Sequence, residues 1–501
     1  MIRVKCNQNA TLYYAYHLAK AFLPDREITS EVIPEQEDAV CLEGEISLRA
    51  ATERELYTAL RDLTGQDLPW GMLTGVRPTK LASLWLEEYS AGQEVYPDAS
   101  DGLDGSCGER QQAFIDWFYK DRFVSEDKAK VAFQIARKER RICRELEGDE
   151  PSVLAEGKRY LPGWSLYIGI PFCPSVCSYC SFSSGSIHVY QDRVDRYLDA
   201  LFREMRQKSK MYGSYPSTVY IGGGTPTSLN EEQLERLLSE ADRIFAISEG
   251  LKEGKIREYT VEAGRPDSIT EGKLRVLKQH GVTRISINPQ SMQQKTLDVI
   301  GRSHTTQQIR DAFQMARELG FYNINMDIIA GLPGETQADM DDTLRQIREM
   351  GPDSLTVHSL AIKRSSAIGI RKKLAEKNGE GSGLAADPGE ISRMIDDAYD
   401  AAREMGMEPY YLYRQKSIAG NFENIGYARP GKEGLYNILI IEEVQSILAC
   451  GAGASTKLLY PEAVPNPARN GQFTHMIRRE NVKDIDEYIR RWEQETGENH
   501  A

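Results

Sequence analysis

Between residues 165 and 360, short runs rich in β-branched and aromatic residues alternate six times with segments of helical spacing. The strand-like runs are 165–170, 217–221, Glu258–Glu262, 284–288, 322–329 and 355–360. Among the intervening segments, residues 308–319 place Ile309, Phe313 and Ala316 at i, i+4 and i+7, on one helical face. This alternation leaves few folds open. A strand, a helix that crosses back and a further strand make a parallel sheet with right-handed connections. Six units are too few to close an eight-stranded barrel. The expectation is therefore an α/β chain built on a partial (β/α)6 barrel, with its functional groups gathered where the strands end.

At 501 residues the chain is longer than one core usually organises. Residues 1–155 read as an N-terminal α/β extension without a chemical motif. They contain a strand at Ile2–Cys6, a helix over 11–22, a Gly/Asp/Ser-rich loop over 91–108 and a charged helix at Glu126–Glu147. Residues 156–375 hold the barrel. Residues 376–501 are expected to form a mostly helical region covering the substrate, after a Gly- and charge-rich linker over 373–388. That region holds a helix over 390–405, a run over 410–436 rich in Tyr, Asn and Gly with no clear period, and a closing charged helix over 484–495.

Three of the eight cysteines are grouped as Cys173-Pro-Ser-Val-Cys177-Ser-Tyr-Cys180, just after the first strand of the alternating pattern. The other five, Cys6, Cys41, Cys107, Cys143 and Cys450, are scattered and read as incidental thiols. Three thiolates on one short loop can hold three irons of a cubane and leave the fourth open to a small chelating molecule. A tetrahedral zinc site needs a fourth ligand, and no Cys or His follows closely. A formal net charge of −13 argues against nucleic acid as a main partner. There is no apolar run of membrane-spanning length, and the N-terminus lacks the pattern of a signal peptide. A cytoplasmic location is expected.

Tyr167-Ile-Gly-Ile-Pro-Phe-Cys173, followed by that cysteine spacing, resembles the radical S-adenosylmethionine superfamily. More narrowly, the chain is similar to the oxygen-independent coproporphyrinogen III oxidase family. The resemblance spans about residues 165–360, and the long N-terminal extension together with the Tyr-rich run resembles its longer coproporphyrinogen-dehydrogenase-like branch. It implies a [4Fe–4S] cluster on Cys173, Cys177 and Cys180, and S-adenosylmethionine as cofactor. The motif Gly222-Gly-Gly-Thr-Pro-Thr227 matches the family's glycine motif, so Gly222, Gly223, Gly224 and Thr225 are expected to bind the cofactor's methionine end. By the same resemblance Glu262, Gln290, Arg302 and Asp327 contact the cofactor, and the Tyr167 ring stacks near it. Two positions depart from well-studied oxidase members: Phe182 stands where they carry a fourth cysteine, and Gly169 where they carry a histidine.

The implied activity is a radical oxidative decarboxylation. Two propionates of coproporphyrinogen III would become the vinyl groups of protoporphyrinogen IX, in haem biosynthesis, with a low-potential electron donor as partner. A haem chaperone of the same family and a radical haem-opening methyltransferase stay open as alternatives. An acidic protein gripping a tetracarboxylate needs local cations. Candidates are Lys363, Arg364, Arg371, Lys372, Arg414 and Lys416, with Arg414 and Tyr167 as candidate catalytic residues. His358, at the end of the sixth strand, reads as a hydrogen-bonded polar residue rather than a haem ligand.

Overall fold

The structure, a computed structural model, describes residues 2–6, 9–23, 26–32, 46–50, 52–74, 77–91, 105–147, 152–155, 158–180, 185–361, 366–371, 387–414 and 422–494. Three strands open the chain: β1 (Ile2–Cys6), β2 (Ile28–Val32) and β3 (Ile46–Ala50). They pair in parallel in the order β2-β1-β3 and share a small core with Leu18, Phe22, Tyr57 and Leu60 from the helices Asn9–Phe22 and Glu53–Thr64. Three more helices, Pro78–Ala91, Gly105–Arg122 and Glu126–Glu147, contribute Ala82, Phe114, Phe118, Val131 and Ile135 to the main core of the molecule.

After a short hairpin, β4 (Val153–Ala155) and β5 (Lys158–Tyr160), comes β6 (Trp164–Ile170). A minor pair follows, β7 (Phe172–Cys173) with β8 (Gly185–Ser186). The sheet then grows through β9 (Thr218–Gly223), β10 (Glu258–Glu262), β11 (Arg284–Ser286), β12 (Ile324–Ala330) and β13 (Ser354–Ser359). From β6 to β13 these six strands are neighbours in chain order and all parallel. Their residues, such as Leu166, Ile168, Val219, Ile221, Val261, Ile285, Met326 and Val357, are buried because helices cover the sheet. The helix Thr306–Glu318 shows the local logic. Thr305 caps it reciprocally with Gln308, and Ile309, Phe313 and Ala316 form its buried stripe. All six expected strands exist, with no end shifted by more than two residues.

The C-terminal part departs from the expectation of a mostly helical region. It holds β14 (Glu408–Arg414), β15 (Glu423–Ala428), β16 (Ser446–Cys450), β17 (Ser455–Pro465) and β18 (Phe473–Glu480), against the helices Pro388–Glu404, Leu435–Glu442 and Ile485–Gln494. The result is a mixed α/β fold with one large, mostly parallel sheet of order β14-β15-β13-β12-β11-β10-β9-β6-β16-β17-β18. β16 lies parallel to β6 and adds a seventh parallel strand, while β15 runs antiparallel to β13. Short apolar runs such as Ser446–Cys450 carry no period that separates a buried strand from a buried helix, and the parallel partner of this run, β6, lies far away in sequence. No helix among the described residues is long and apolar enough to cross a membrane.

Candidate functional site

A cavity of about 670 Å³ opens where the parallel strands end. Its wall is built in chain order. Tyr167 comes from β6, and the three cysteines come from the loop beyond it. Gly223, Gly224 and Thr225 follow from β9, Glu262 from β10, Gln290 and Arg302 from beyond β11, Asp327 from β12, and His358 from β13. All the expected cluster and cofactor residues but Gly222 therefore line one space, and Gly222 packs closely against Glu262 and Tyr220, which do line it.

The cysteine loop is held from two sides. The Ser178 N–H donates to the Ile300 carbonyl (3.0 Å) and the Cys180 N–H to the Cys177 carbonyl (3.1 Å). Arg265, absent from the sequence-derived set, reaches in from beyond β10. Its Nη1 donates to the Ser175 carbonyl (2.9 Å) and lies 3.6 Å from the Cys177 Sγ, while Asp267 holds its other edge (2.8 and 2.9 Å). Its place three residues after Glu262, in Glu-Ala-Gly-Arg265, was the available signal. Cys173 Sγ lies 3.7 Å from the Thr225 hydroxyl.

The glycine run works through close approach. Gly223 has φ +114°, which side chains rarely adopt, and a Cβ on Gly224 would stand 2.5 Å from the Phe172 carbonyl oxygen. A Cβ on Gly222 would meet the Glu262 carboxyl at 2.8 Å. The run thus presents its backbone edge beside the cysteine strand.

Glu262 accepts a hydrogen bond from the Tyr220 hydroxyl at 2.6 Å. Burial pushes its carboxyl up to about 7; the charge of Asp327 adds to the rise, and hydrogen bonds from Tyr220 and the Gly223 N–H oppose it. Asp327 behaves in the opposite way. Burial opposes ionisation, yet hydrogen bonds from His358, Asn325 and Thr356 hold its carboxyl below the usual range. Gln290 sits at φ +66°, pinned by its N–H on the Asp327 carbonyl (2.9 Å) and by the Ile329 N–H on its own carbonyl (3.0 Å). Arg302 donates to the Asn288 carbonyl (2.5 Å) and to the Tyr179 hydroxyl (3.4 Å).

Three rings form a stack in the wall. Tyr220 and Tyr436 are 4.5 Å apart at 25°, and Tyr167 lies 6.2 Å from each. Tyr220 was not anticipated. From the Tyr-rich run, Tyr411, Tyr413, Asn424 and Tyr436 face the cavity, and His358 Nδ1 lies 3.3 Å from the Asn424 Oδ1 and 3.5 Å from the Tyr413 hydroxyl.

Arg414 does not line the cavity. Its Nη2 donates to the Leu73 carbonyl (3.0 Å) and its guanidinium lies over the Trp70 ring (5.7 Å), so it faces the N-terminal region instead of a substrate. Arg371 is exposed, and Lys363, Arg364, Lys372 and Lys416 lie outside the described residues.

The donor set fits the expected groups. Among the described residues, no three His, Cys, Asp or Glu side chains converge as ligands of a single ion do. Three thiols on one loop around an open space suit a polynuclear cluster, and Arg265 offsets thiolate charge. The cavity wall also carries buried polar atoms without a partner in the protein: Arg302 Nε, Arg284 Nε, Ser286 Oγ and Asn288 Oδ1. A polar, hydrogen-bonding ligand would satisfy them.

The sequence is similar to those of known proteins. The model of the radical SAM superfamily matches residues 167–347. The chain is 37% identical over 438 residues to the oxygen-independent coproporphyrinogen-III oxidase-like protein HemZ of Bacillus subtilis, covering 87% of this chain and 77% of that one. It is 38% identical over 200 residues to the heme chaperone HemW of the same organism, covering 40% of this chain and 51% of that one. The structure of coproporphyrinogen III oxidase (HemN) from Escherichia coli matches with a TM-score of 0.49 at 22% identity, over 66% of this chain and 70% of that one.

Proposed function

We infer the function from membership: the chain belongs to the radical SAM superfamily and, within it, to the family of HemZ-like oxygen-independent coproporphyrinogen-III oxidase-like proteins. The reading is a cytoplasmic enzyme that converts two propionates of coproporphyrinogen III to vinyl groups. Each event gives one hydrogen atom to the radical, releases one CO2, and passes one electron to an external one-electron acceptor. The parallel strands from β6 to β13 act as a partial barrel with the reaction space at their ends.

The observation that carries this reading is the convergence of Cys173, Cys177 and Cys180 with Gly223, Glu262, Gln290 and Asp327 on a single cavity. When bound, a [4Fe–4S] cluster on the three cysteines, together with S-adenosylmethionine, supplies a radical able to remove an unactivated hydrogen. The chain's own residues do the rest. The Gly222–Gly224 edge and the Glu262 carboxylate receive an ammonium group, Asp327 and Gln290 offer acceptors and a donor to hydroxyls, and Arg302 meets a carboxylate. Tyr411, Tyr413 and Tyr436 give flat apolar faces for a macrocycle. The helix Leu435–Glu442, through Asn437, Ile440 and Ile441, closes one side and limits water.

The test is an anaerobic assay of the reconstituted protein with coproporphyrinogen III, S-adenosylmethionine and reductant, read as protoporphyrinogen IX formed. A second reading, a haem chaperone, is supported by the 38% identity to HemW. Stoichiometric, stable haem binding with no decarboxylation would select it.

A further inference from the structure

The expected substrate cations are either turned away from the cavity, exposed, or outside the described residues, yet a tetracarboxylate must be gripped by positive charge. Among the described residues, the cationic side chains on the cavity wall are Arg265, Arg284, Arg302 and Lys457. The first three have other work: Arg265 braces the cysteine loop, Arg284 donates to Ser354 (3.2 Å), and Arg302, held by the Asn288 carbonyl, is assigned to the carboxylate of the cofactor. Lys457, on β17, stands at the far side, beside the end of the helix Leu435–Glu442.

That end of the helix is a local surplus of positive charge in a chain of net charge −13. Lys457 Nζ lies 3.2 Å from the Glu443 Oε1, which Arg478 also approaches at 4.0 Å, and Arg77 pairs with Glu442 at 3.1 Å. Lys158 lies within electrostatic range of Glu443, Glu442 and Arg77, and Lys80 lies within range of Lys158. Glu442 and Glu443, with the Glu139 carboxyl that burial and Glu442 push well above its usual range, thus face a larger set of cations. Burial, reinforced by the neighbouring charges of Arg478 and Arg77, pulls the Lys457 ammonium down despite its pairing with Glu443. Glu443 itself caps the helix at φ +53°, a place where glycine is usual. Nearby in the same wall, Ser455 Oγ is buried and has no hydrogen-bond partner in the protein.

We propose that Lys457, with Arg478 and Arg77 behind it, is the anchor for a substrate carboxylate, and that Glu443 holds the Lys457 ammonium in place until that carboxylate arrives. This rests on the porphyrinogen reading and names the side of the cavity that grips the propionates. Ser455 supplies a hydroxyl donor to the same group.

Coproporphyrin III, the stable aromatic relative carrying the same four carboxylates, is titrated into the reconstituted full chain by fluorescence, beside its tetramethyl ester. The wild type is expected to bind the acid and not the ester. Lys457→Gln should weaken binding of the acid roughly tenfold, and Lys457→Arg should restore most of it. Glu443→Gln removes the competing carboxylate and should tighten binding several-fold, a gain that an ion pair kept only for stability would not give. Acid binding unchanged in both Lys457→Gln and Glu443→Gln would overturn the anchor and leave the porphyrinogen reading standing. A wild type that binds neither acid nor ester would remove that reading and the anchor with it.

Discussion

Arg265 stands with its Nη1 3.6 Å from the Sγ of Cys177, while the same nitrogen donates to the Ser175 carbonyl at 2.9 Å. One buried guanidinium thus braces the cysteine loop and places positive charge against a thiolate. Asp267 fixes its orientation through two further hydrogen bonds. Lysine would keep the charge and lose the fork. Arg265→Lys should therefore assemble a cluster but lose it to a chelator several-fold faster than the wild type, followed as the decay of its visible absorbance. Equal decay rates would show that the brace contributes nothing to cluster retention.

The three cysteines should be individually indispensable, because the loop brings no spare thiol to the cavity. Alanine at Cys173, Cys177 or Cys180 should abolish both the cluster and cofactor cleavage. Cys450, buried on β16 outside the cavity lining, should be replaceable by alanine without loss of either. A full iron complement in Cys177→Ala would exclude the assignment.

Glu262 makes stability depend on pH. Its carboxyl moves from 4.5 in the unfolded chain to about 7 in the fold, through burial first and Asp327 second. The folded state therefore holds a proton that the unfolded state has released, and stability falls as pH rises through this window. The loss begins near pH 4.5, is complete near pH 7, and amounts to about 3 kcal/mol. Glu262→Gln has no such titration. In urea unfolding of the cofactor-free protein, it should gain steadily on the wild type across that window and keep a constant advantage above it. A flat difference would mean that Glu262 titrates normally in the fold.

Glu423, on β15, ties the N-terminal region to the sheet. It accepts from Trp70 Nε1 at 2.7 Å and from Lys128 Nζ at 2.7 Å, and its side chain is 1% exposed. Burial opposes both charges, yet their pairing holds Glu423 below and Lys128 above their ordinary ranges. Lys128→Met leaves an uncompensated buried carboxylate and should cost about 3–5 kcal/mol, read in the thermal midpoint. Adding Glu423→Gln should recover most of that loss. No recovery would show that the lysine acts by packing alone.

The parallel strands were legible because period and turn residues agree along the whole stretch from Trp164 to Ser359. The site residues were legible for a different reason. Glu262, Gln290 and Asp327 were named through the family resemblance of their motifs, and the parallel order of β10, β11 and β12 brings them to one cavity. Arg265 was missed because its action depends on a loop ninety residues upstream, at Ser175. Of the strands β14 to β18, β15 and β16 were missed because they are buried on both faces and take their places in the sheet from the distant strands β13 and β6, so no alternation marks them. Lys457 was missed with them: only the pairing of β16 with β6 carries its strand to the cavity.

Arg414 shows how leaving a strand as a run without a period misdirects a functional residue. In the strand Glu408–Arg414 successive side chains point to opposite faces. Tyr411 and Tyr413 line the cavity, so Arg414 turns the other way, onto the Leu73 carbonyl and the Trp70 ring. Burial pulls its guanidinium down to about 10, against the pull of Glu423, which keeps it charged at neutral pH. Its work is then to fasten the segment carrying Trp70 to the sheet. Arg414→Ala should lower the thermal midpoint through the loss of a charged hydrogen bond and a cation–π contact, about 2–3 kcal/mol in total. Binding of coproporphyrin III by the folded fraction should match the wild type. Tyr413→Ala, one residue away on the cavity face, should do the reverse, weakening tetrapyrrole binding with a smaller effect on the midpoint. If Arg414→Ala lost binding at unchanged stability, its guanidinium would have to leave Leu73 and swing into the cavity when substrate arrives.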